Sequence, residues 1–172
     1  MKPKQTGFTL IELMITVAVA AILLTLAVPN MRDFILNNRI TAQTNDLLAD
    51  LALARSEAAK LGIRVTVCTS SNQTSCTGDG WGVGRIVWAD LNSDGDVDAG
   101  EALRTTEALP TGNTLAATGF TNADRVQYRP NGVIDSQGSF TVCDQRSGPH
   151  GRTITVTTTG RAGAEKDPAT CP

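Results

Sequence analysis

The chain has 172 residues with 15 Lys and Arg against 17 Asp and Glu, a formal charge of −2, so no global basic field is present to recruit nucleic acid. About 143 residues follow position 29, room for one compact domain with a core but not comfortably for two. Four cysteines without a CxxC pair point to disulfides in an oxidising compartment rather than to zinc or thioredoxin-like chemistry.

Lys2 and Lys4 precede an almost uniformly apolar run, GFTLIELMITVAVAAILLTLAVP, from Gly7 to Pro29. No charge interrupts it from Leu13 to Val28. At about 1.5 Å per helical residue, positions 8–28 extend roughly 31 Å, the hydrocarbon thickness of a bilayer. Basic residues ahead of such a run hold the N-terminus in the cytoplasm, so the chain past Pro29 is expected on the far side, the periplasm in a bacterium. An ordinary secretory signal would lose its apolar region beyond a small-residue site such as Ala18-Val19-Ala20, and it leaves Glu12 and the Gly7-Phe8 junction without a role. Glu12 is the one carboxylate inside the run. On insertion scales it costs about 2.5–3.5 kcal/mol at a helix centre and less near an end, so it is either paired and functional or hydrated at the interface.

KQTG followed by FTLIEL and the long apolar run resembles the class III signal of type IV pilins and type II secretion pseudopilins. The resemblance implies cleavage after Gly7 by a prepilin peptidase, methylation of the new terminal amine on Phe8, and retention of the apolar stretch as a filament-core helix. It also implies that Glu12, fifth after the cut, pairs with the terminal amine of a neighbouring subunit and fixes the axial register. Loss of residues 1–7, with Lys2 and Lys4, leaves 13 basic and 17 acidic side chains, a charge of −4 before the amine is counted.

Proline lacks an amide hydrogen and crowds the carbonyl four residues back, so a kink is expected at Pro29 rather than a stop. From Asn30 to Leu61 the apolar residues Phe34, Ile35, Leu47, Leu48, Leu51, Ala54, Ala58 and Leu61 recur at three- and four-residue spacing, and Gly62 suits a C-terminal cap. The first half of this stretch is polar on most sides and is expected to protrude, while the second half can bury its stripe on a sheet. Within it, LALARSEAAKLGIRVTVC resembles the GspH/FimT branch of minor pseudopilins. Arg55 and Glu57 are read as neighbouring charges on an exposed helix face, without chemistry.

Beyond the helix, Ile63, Val65 and Val67 alternate with Arg64, Thr66 and Cys68. Residues 83–88, 103–107, 126–128, 140–142 and 153–159 are similarly strand-like between Gly, Asn and Asp turns, which predicts an antiparallel sheet. Adjacency pairs Cys68 with Cys76 and Cys143 with Cys171, one of three possible connectivities.

The segment from Asp90 to Glu101 satisfies D-x-[DN]-x-[DN]-G-x5-E completely, with Asp90, Asn92, Asp94, Asp96, Asp98 and Glu101 as candidate calcium ligands around the Gly95 turn. Strand-like sequence flanks it, so the helices of an EF-hand are missing, and a solvated Asx-rich turn is the alternative. No enzyme is expected. His150, the only histidine, stands in the Gly/Pro turn SGPHGR without a nucleophile motif, and GWGVGR lacks the Lys-Ser/Thr of a phosphate loop.

Together these features predict an α+β, pilin-like fold. Residues 1–7 form a leader, 8–29 a transmembrane and filament-core helix, and 30–172 a periplasmic domain, helical to about 61 and then antiparallel sheet. The resemblance implies an inner-membrane minor pseudopilin that helps start or tip a type II secretion pseudopilus among other pilin-like subunits. The alternative is a FimT-like minor pilin that binds DNA for uptake. FimT-like receptors resemble one another in a Gly-Arg-x-Arg motif. This chain reads Gly160-Arg161-Ala162-Gly163, with Arg152 and Lys166 as the available replacement charges.

Overall fold

The computed structural model describes residues 7–172. A helix, α1 (Leu10–Leu61), is followed by strands β1 (Val65–Thr69), β2 (Arg85–Ala89), β3 (Ala102–Thr106), β4 (Thr114–Thr118), β5 (Arg125–Tyr128), β6 (Gly138–Cys143), β7 (Gly148–Val156) and β8 (Ala162–Cys171), with a single 3-10 turn at Trp81–Val83. The described chain divides into two compact units at Asn38/Arg39, and α1 runs across that position. The bend expected at Pro29 rests on a side chain outside the described residues.

In the first unit the large apolar side chains from Phe8 to Ile35 are mostly more than half exposed. This is far more apolar surface than a soluble helix shows, and it suits lipid or packed neighbours. The first described turn is capped by Thr9, whose Oγ1 accepts from the Glu12 amide at 3.3 Å.

The second unit has its own core. Ile40, Leu47, Leu51, Ala54 and Ala58 recur along one face of α1 and are at most 1% exposed. They pack with Val65, Val67, Val87, Val126, Phe140, Ile154 and Val156 from the strands. Each fully buried Leu or Ile among them contributes about 1.5–3 kcal/mol relative to exposure. The helix ends where spacing predicts: Gly62 adopts φ 70°, a left-handed conformation that a Cβ would strain, and donates its amide to Ala58 O at 3.0 Å.

The strands form two four-stranded antiparallel sheets rather than one, in the orders β3-β2-β1-β5 and β4-β6-β7-β8. Strands β1 and β2 are buried on both faces, which the alternation at 63–68 did not foretell. The reason lies in the pleat, which sends alternate side chains to opposite faces. Val65, Val67 and Val87 meet α1's core, while Cys68, Ile86 and Trp88 form a second apolar cluster with Cys76 and Val97 packed on it. The 90–101 loop and the Cys68–Cys76 disulfide thus cover the sheet face opposite α1.

Strands β4 and β8 are the two the sequence hides. The β8 sequence AGAEKDPATC is poor in β-formers, and it is held by pairing with β7 and by a disulfide from Cys171 to Cys143. His150 lies inside β7 rather than in a turn, because the Gly/Pro stretch continues the ladder through a register shift. Buried ionic contacts complete the unit. Asp50 on α1 is fully buried and holds Arg85 of β2 at 2.5 Å, Arg104 of β3 at 3.0 Å and the Thr106 hydroxyl at 3.2 Å.

Candidate functional site

Three groups of residues carry the sequence expectations. At the N-terminal junction, Gly7 and Phe8 lie in irregular, exposed backbone just ahead of α1. Lys2 and Lys4 lie outside the described residues. Glu12 stands in the first turn of the helix, where its Oε2 accepts from both the amide and the hydroxyl of Thr9 at 2.9 Å. With the return bond from the Glu12 amide, this is a reciprocal capping box. Its sequence signal is a Thr and a Glu three residues apart. Among the described residues Oε1 takes no bond, so one carboxylate oxygen is free for a cation from outside the chain.

The acidic loop is closed by its own hydrogen bonds. Glu101, 4% exposed, accepts the Leu91 amide on Oε1 at 2.8 Å and the Asp98 amide on Oε2 at 3.0 Å. Asn92 accepts the Asp94 amide, and its Nδ2 donates to Asp94 Oδ2 at 2.8 Å and Asp98 Oδ2 at 2.9 Å. Asp96 donates its amide to Asp94 Oδ1, and Asp90 Oδ1 receives Gly95 N at the long distance of 3.5 Å. The donor set has the hard oxygens calcium takes. As folded, however, oxygens of Glu101, Asn92, Asp94 and Asp98 are taken by the loop's own amides, and among the described residues no group of three or more His, Cys, Asp or Glu stands ready to hold a metal.

The three cations proposed for DNA lie along one ladder, in which Arg152 of β7 faces Pro168 of β8 and Val156 faces Ala162 next to Arg161. Arg152 is half-buried on β7 and donates to the adjacent Gly151 carbonyl at 3.0 Å, while Lys166 is exposed on β8 near Glu165, which the Thr155 hydroxyl holds at 2.5 Å. Arg161 stands at the end of the β7–β8 turn. It shares a groove of about 610 Å³ not with those two but with Arg55 of α1. Sequence reading set Arg55 aside; the structure shows it donating to the Thr159 carbonyl at 3.1 Å and so tying α1 to this turn. Beneath it Tyr128 is fully buried, its hydroxyl without a partner among the described residues. Burial pushes its pKa up to about 12, against a smaller opposing pull from the Arg55 charge. It is therefore a neutral core residue at any physiological pH.

The family described as "Type II transport protein GspH" matches residues 43–160, and the "Prokaryotic N-terminal methylation motif" matches residues 2–28. The type IV major fimbrial protein FimA of Dichelobacter nodosus is 32% identical over 119 residues, 69% of this chain and 61% of FimA. The chain thus aligns with about three-fifths of that relative's length. Among solved structures, the type IV minor pilin FimU of Pseudomonas aeruginosa superposes with a TM-score of 0.60 at 20% identity, covering 78% of this chain and 96% of FimU. The minor pseudopilin EpsH of the Vibrio cholerae type 2 secretion system gives 0.55 at 12% identity, covering 74% and 96%. These two likenesses concern the fold.

Proposed function

From the premise that the chain belongs to the GspH family of type II transport proteins, within the wider pilin and pseudopilin group, we propose that it is a minor pseudopilin that helps start or tip a type II secretion pseudopilus. Members of this group are structural filament subunits, and the methylation motif implies processing by a prepilin peptidase. The match to the GspH family over 43–160 is the observation that carries the finer reading. On that reading the mature chain begins at Phe8, is anchored in the inner membrane by 8–29, and holds its second unit in the periplasm until Glu12 meets a neighbour's amine during assembly. Mass spectrometry of the membrane-extracted protein is expected to find N-methylated Phe8 as the first residue. A mature chain starting beyond residue 20 would overturn the assignment.

DNA uptake through a FimT-like motif is less well supported, since glycine stands at the motif's second arginine position, Gly163, and the chain is net acidic. Few phosphate contacts release few counterions, so duplex DNA is expected to bind weakly or not at all near 150 mM salt. A separate proposal concerns the 90–101 loop. Calcium would take the place of the Asn92 amide between Asp94 and Asp98, with Asp90 and Glu101 turning their oxygens inward.

A further inference from the structure

Two glycine turns meet beside the groove that holds Arg55 and Arg161. A Cβ on Gly160 would stand 2.0 Å from the Gly132 carbonyl oxygen, so the turns approach this closely only because that side chain is missing. The room beside Gly132 is taken by Arg55 itself, whose Nε would lie 3.2 Å from a Cβ at that position. With its Nη2 donating to the Thr159 carbonyl at 3.1 Å, this guanidinium is held in place before any ligand arrives. Arg161 is exposed on the same groove, and neither arginine is paired with a carboxylate among the described residues. The opposite wall is a face of α1. Leu48, Ala52, Ser56 and Ala59 recur along it at three- and four-residue spacing, so the groove follows the helix for about 16 Å. That is the length of about five extended residues. Tyr128 adds a second sign of a missing ligand. Its Cε1 lies 3.0 Å from the Cβ position of Gly160, under the turn that carries Arg161, and its buried hydroxyl has no partner among the described residues. A buried donor left without an acceptor is costly.

These features select the occupant. Two guanidinium groups without a carboxylate call for carboxylates, the strip along α1 calls for aliphatic side chains, and the length calls for a segment of chain rather than a lone ion. Duplex DNA would meet the two charges but has nothing to lay on Leu48 and Ala52, and two phosphate contacts release few counterions. A second copy of this chain is a poor fit. The carboxylates of its 90–101 loop are engaged by the loop's own amides, with Arg125 beside Asp96, and a self-contact would propagate, whereas a subunit that starts or tips a filament makes its contact once. We propose that the Arg55–Arg161 groove receives an acidic, partly apolar segment of a different pilin-like subunit, its carboxylates on the two guanidinium groups and its aliphatic side chains along Leu48 and Ala52. A carboxylate seated at Arg55 also brings an acceptor to the corner where the Tyr128 hydroxyl lacks one. The proposal rests on the filament-subunit reading and deepens it by naming the face through which the second unit meets its neighbour.

The test uses the full-length chain, first in detergent micelles and then in cells that assemble the filament. Tyr128 is the only tyrosine of the chain, so fluorotyrosine labelling places one fluorine resonance beside the groove. A synthetic peptide alternating glutamate and leucine is expected to shift that resonance, and its lysine-for-glutamate counterpart to leave it in place. Arg161→Glu, which spares the Arg55–Thr159 bond, should weaken the acidic peptide by about tenfold with unchanged melting, while Arg161→Lys keeps most of the affinity. In cells, a photocrosslinking residue in place of Ala59 is expected to join the groove to an acidic segment of a different pilin-like subunit. Arg161→Glu should abolish that crosslink, and lysine in place of the crosslinked segment's acidic residue should restore it. The same shift with both peptides, no shift with the acidic one, or no crosslink overturns the inference, as does a crosslink to a second copy of this chain or to a protein outside the filament. A shift produced by duplex DNA near 150 mM salt and lost in Arg161→Glu would overturn it too and give the groove to nucleic acid. A chain that fails here yet carries N-methylated Phe8 and enters filaments leaves the pseudopilin assignment standing.

Discussion

Among its described residues the chain buries almost nothing up to Asn38, and from Arg39 it buries nearly all of its core. Leu36 is the one buried residue in the described part of the first unit, whereas Ile40, Leu47, Leu51, Ala54 and Ala58 of the same helix are closed off by strands. One continuous helix therefore draws its stability from two sources. The first stretch takes it from lipid or packed neighbours, and the second from its own domain. Substitutions in the two regions should fail in different assays.

The largest separation is expected at Glu12. Glu12→Ala removes the carboxylate proposed to meet a neighbour's amine and half of the capping box, a local loss of about 0.5–2 kcal/mol. It leaves the apolar span and the second unit's core intact. Cleavage and membrane insertion should persist, incorporation into filaments should disappear, and the melting of the second unit should not move. Unchanged incorporation would make Glu12 a cap and nothing more. Asp50→Ala is the converse. It strands Arg85, 2% exposed, and deprives Arg104 and Thr106 of their partner, a loss of about 3–5 kcal/mol for a broken buried pair. Thermal unfolding of the extracted chain should drop by ten degrees or more while N-methylation of Phe8 continues. A drop of only one or two degrees would mean that water replaces the missing carboxylate.

These two residues also mark what the sequence makes legible. Glu12 stands out because a charge in an apolar run is anomalous on its face, and the run's length, the Gly7-Phe8 junction and the α1 stripe are likewise local patterns. Asp50 looks like any charge on a helix, and its partners lie 35 and 54 positions away on different strands, where no spacing rule reaches. The same holds for the Arg55–Arg161 groove, which depends on two glycine turns meeting. Strand β8 was hidden for another reason: Gly163, Lys166, Asp167 and Pro168 argue against a strand, and only pairing with β7 and the bond from Cys171 to Cys143 override them. The two sheets were legible as strands but not as sheets, since the number of layers depends on which strands pair.

The acidic loop gives the next effect in size and asks whether the second unit, too, takes stability from outside. If calcium displaces the Asn92 amide, linkage adds about 2.7 kcal/mol at a hundredfold excess over the dissociation constant. Melting of the full chain should then rise by several degrees with calcium, fall back on chelation, and lose the response in Glu101→Ala. The same melting temperature with and without millimolar calcium would leave the loop as a self-capped turn.

The smallest effect lies at Asp144, after the end of β6. Burial alone would raise its pKa, but Arg146 outweighs that: its amide donates at 2.9 Å, its Nε at 3.0 and 3.2 Å and its Nη2 at 2.7 Å, and the His150 charge adds to the pull. The carboxyl is thus held below its ordinary value of 3.8. A depressed carboxylate contributes stability that is fully present above its unfolded pKa and is lost as pH falls through the lower folded value. The second unit should accordingly keep its melting temperature down to about pH 4 and lose part of it below. Arg146→Ala removes the guanidinium bonds that hold the carboxylate ionised. It should lower melting modestly at pH 7 and flatten the acid limb, because the burial that raises the folded carboxyl's pKa would then be opposed only by the amide at position 146 and the His150 charge. An acid limb as steep in Arg146→Ala as in the wild type would assign the acid sensitivity to other carboxylates of the unit.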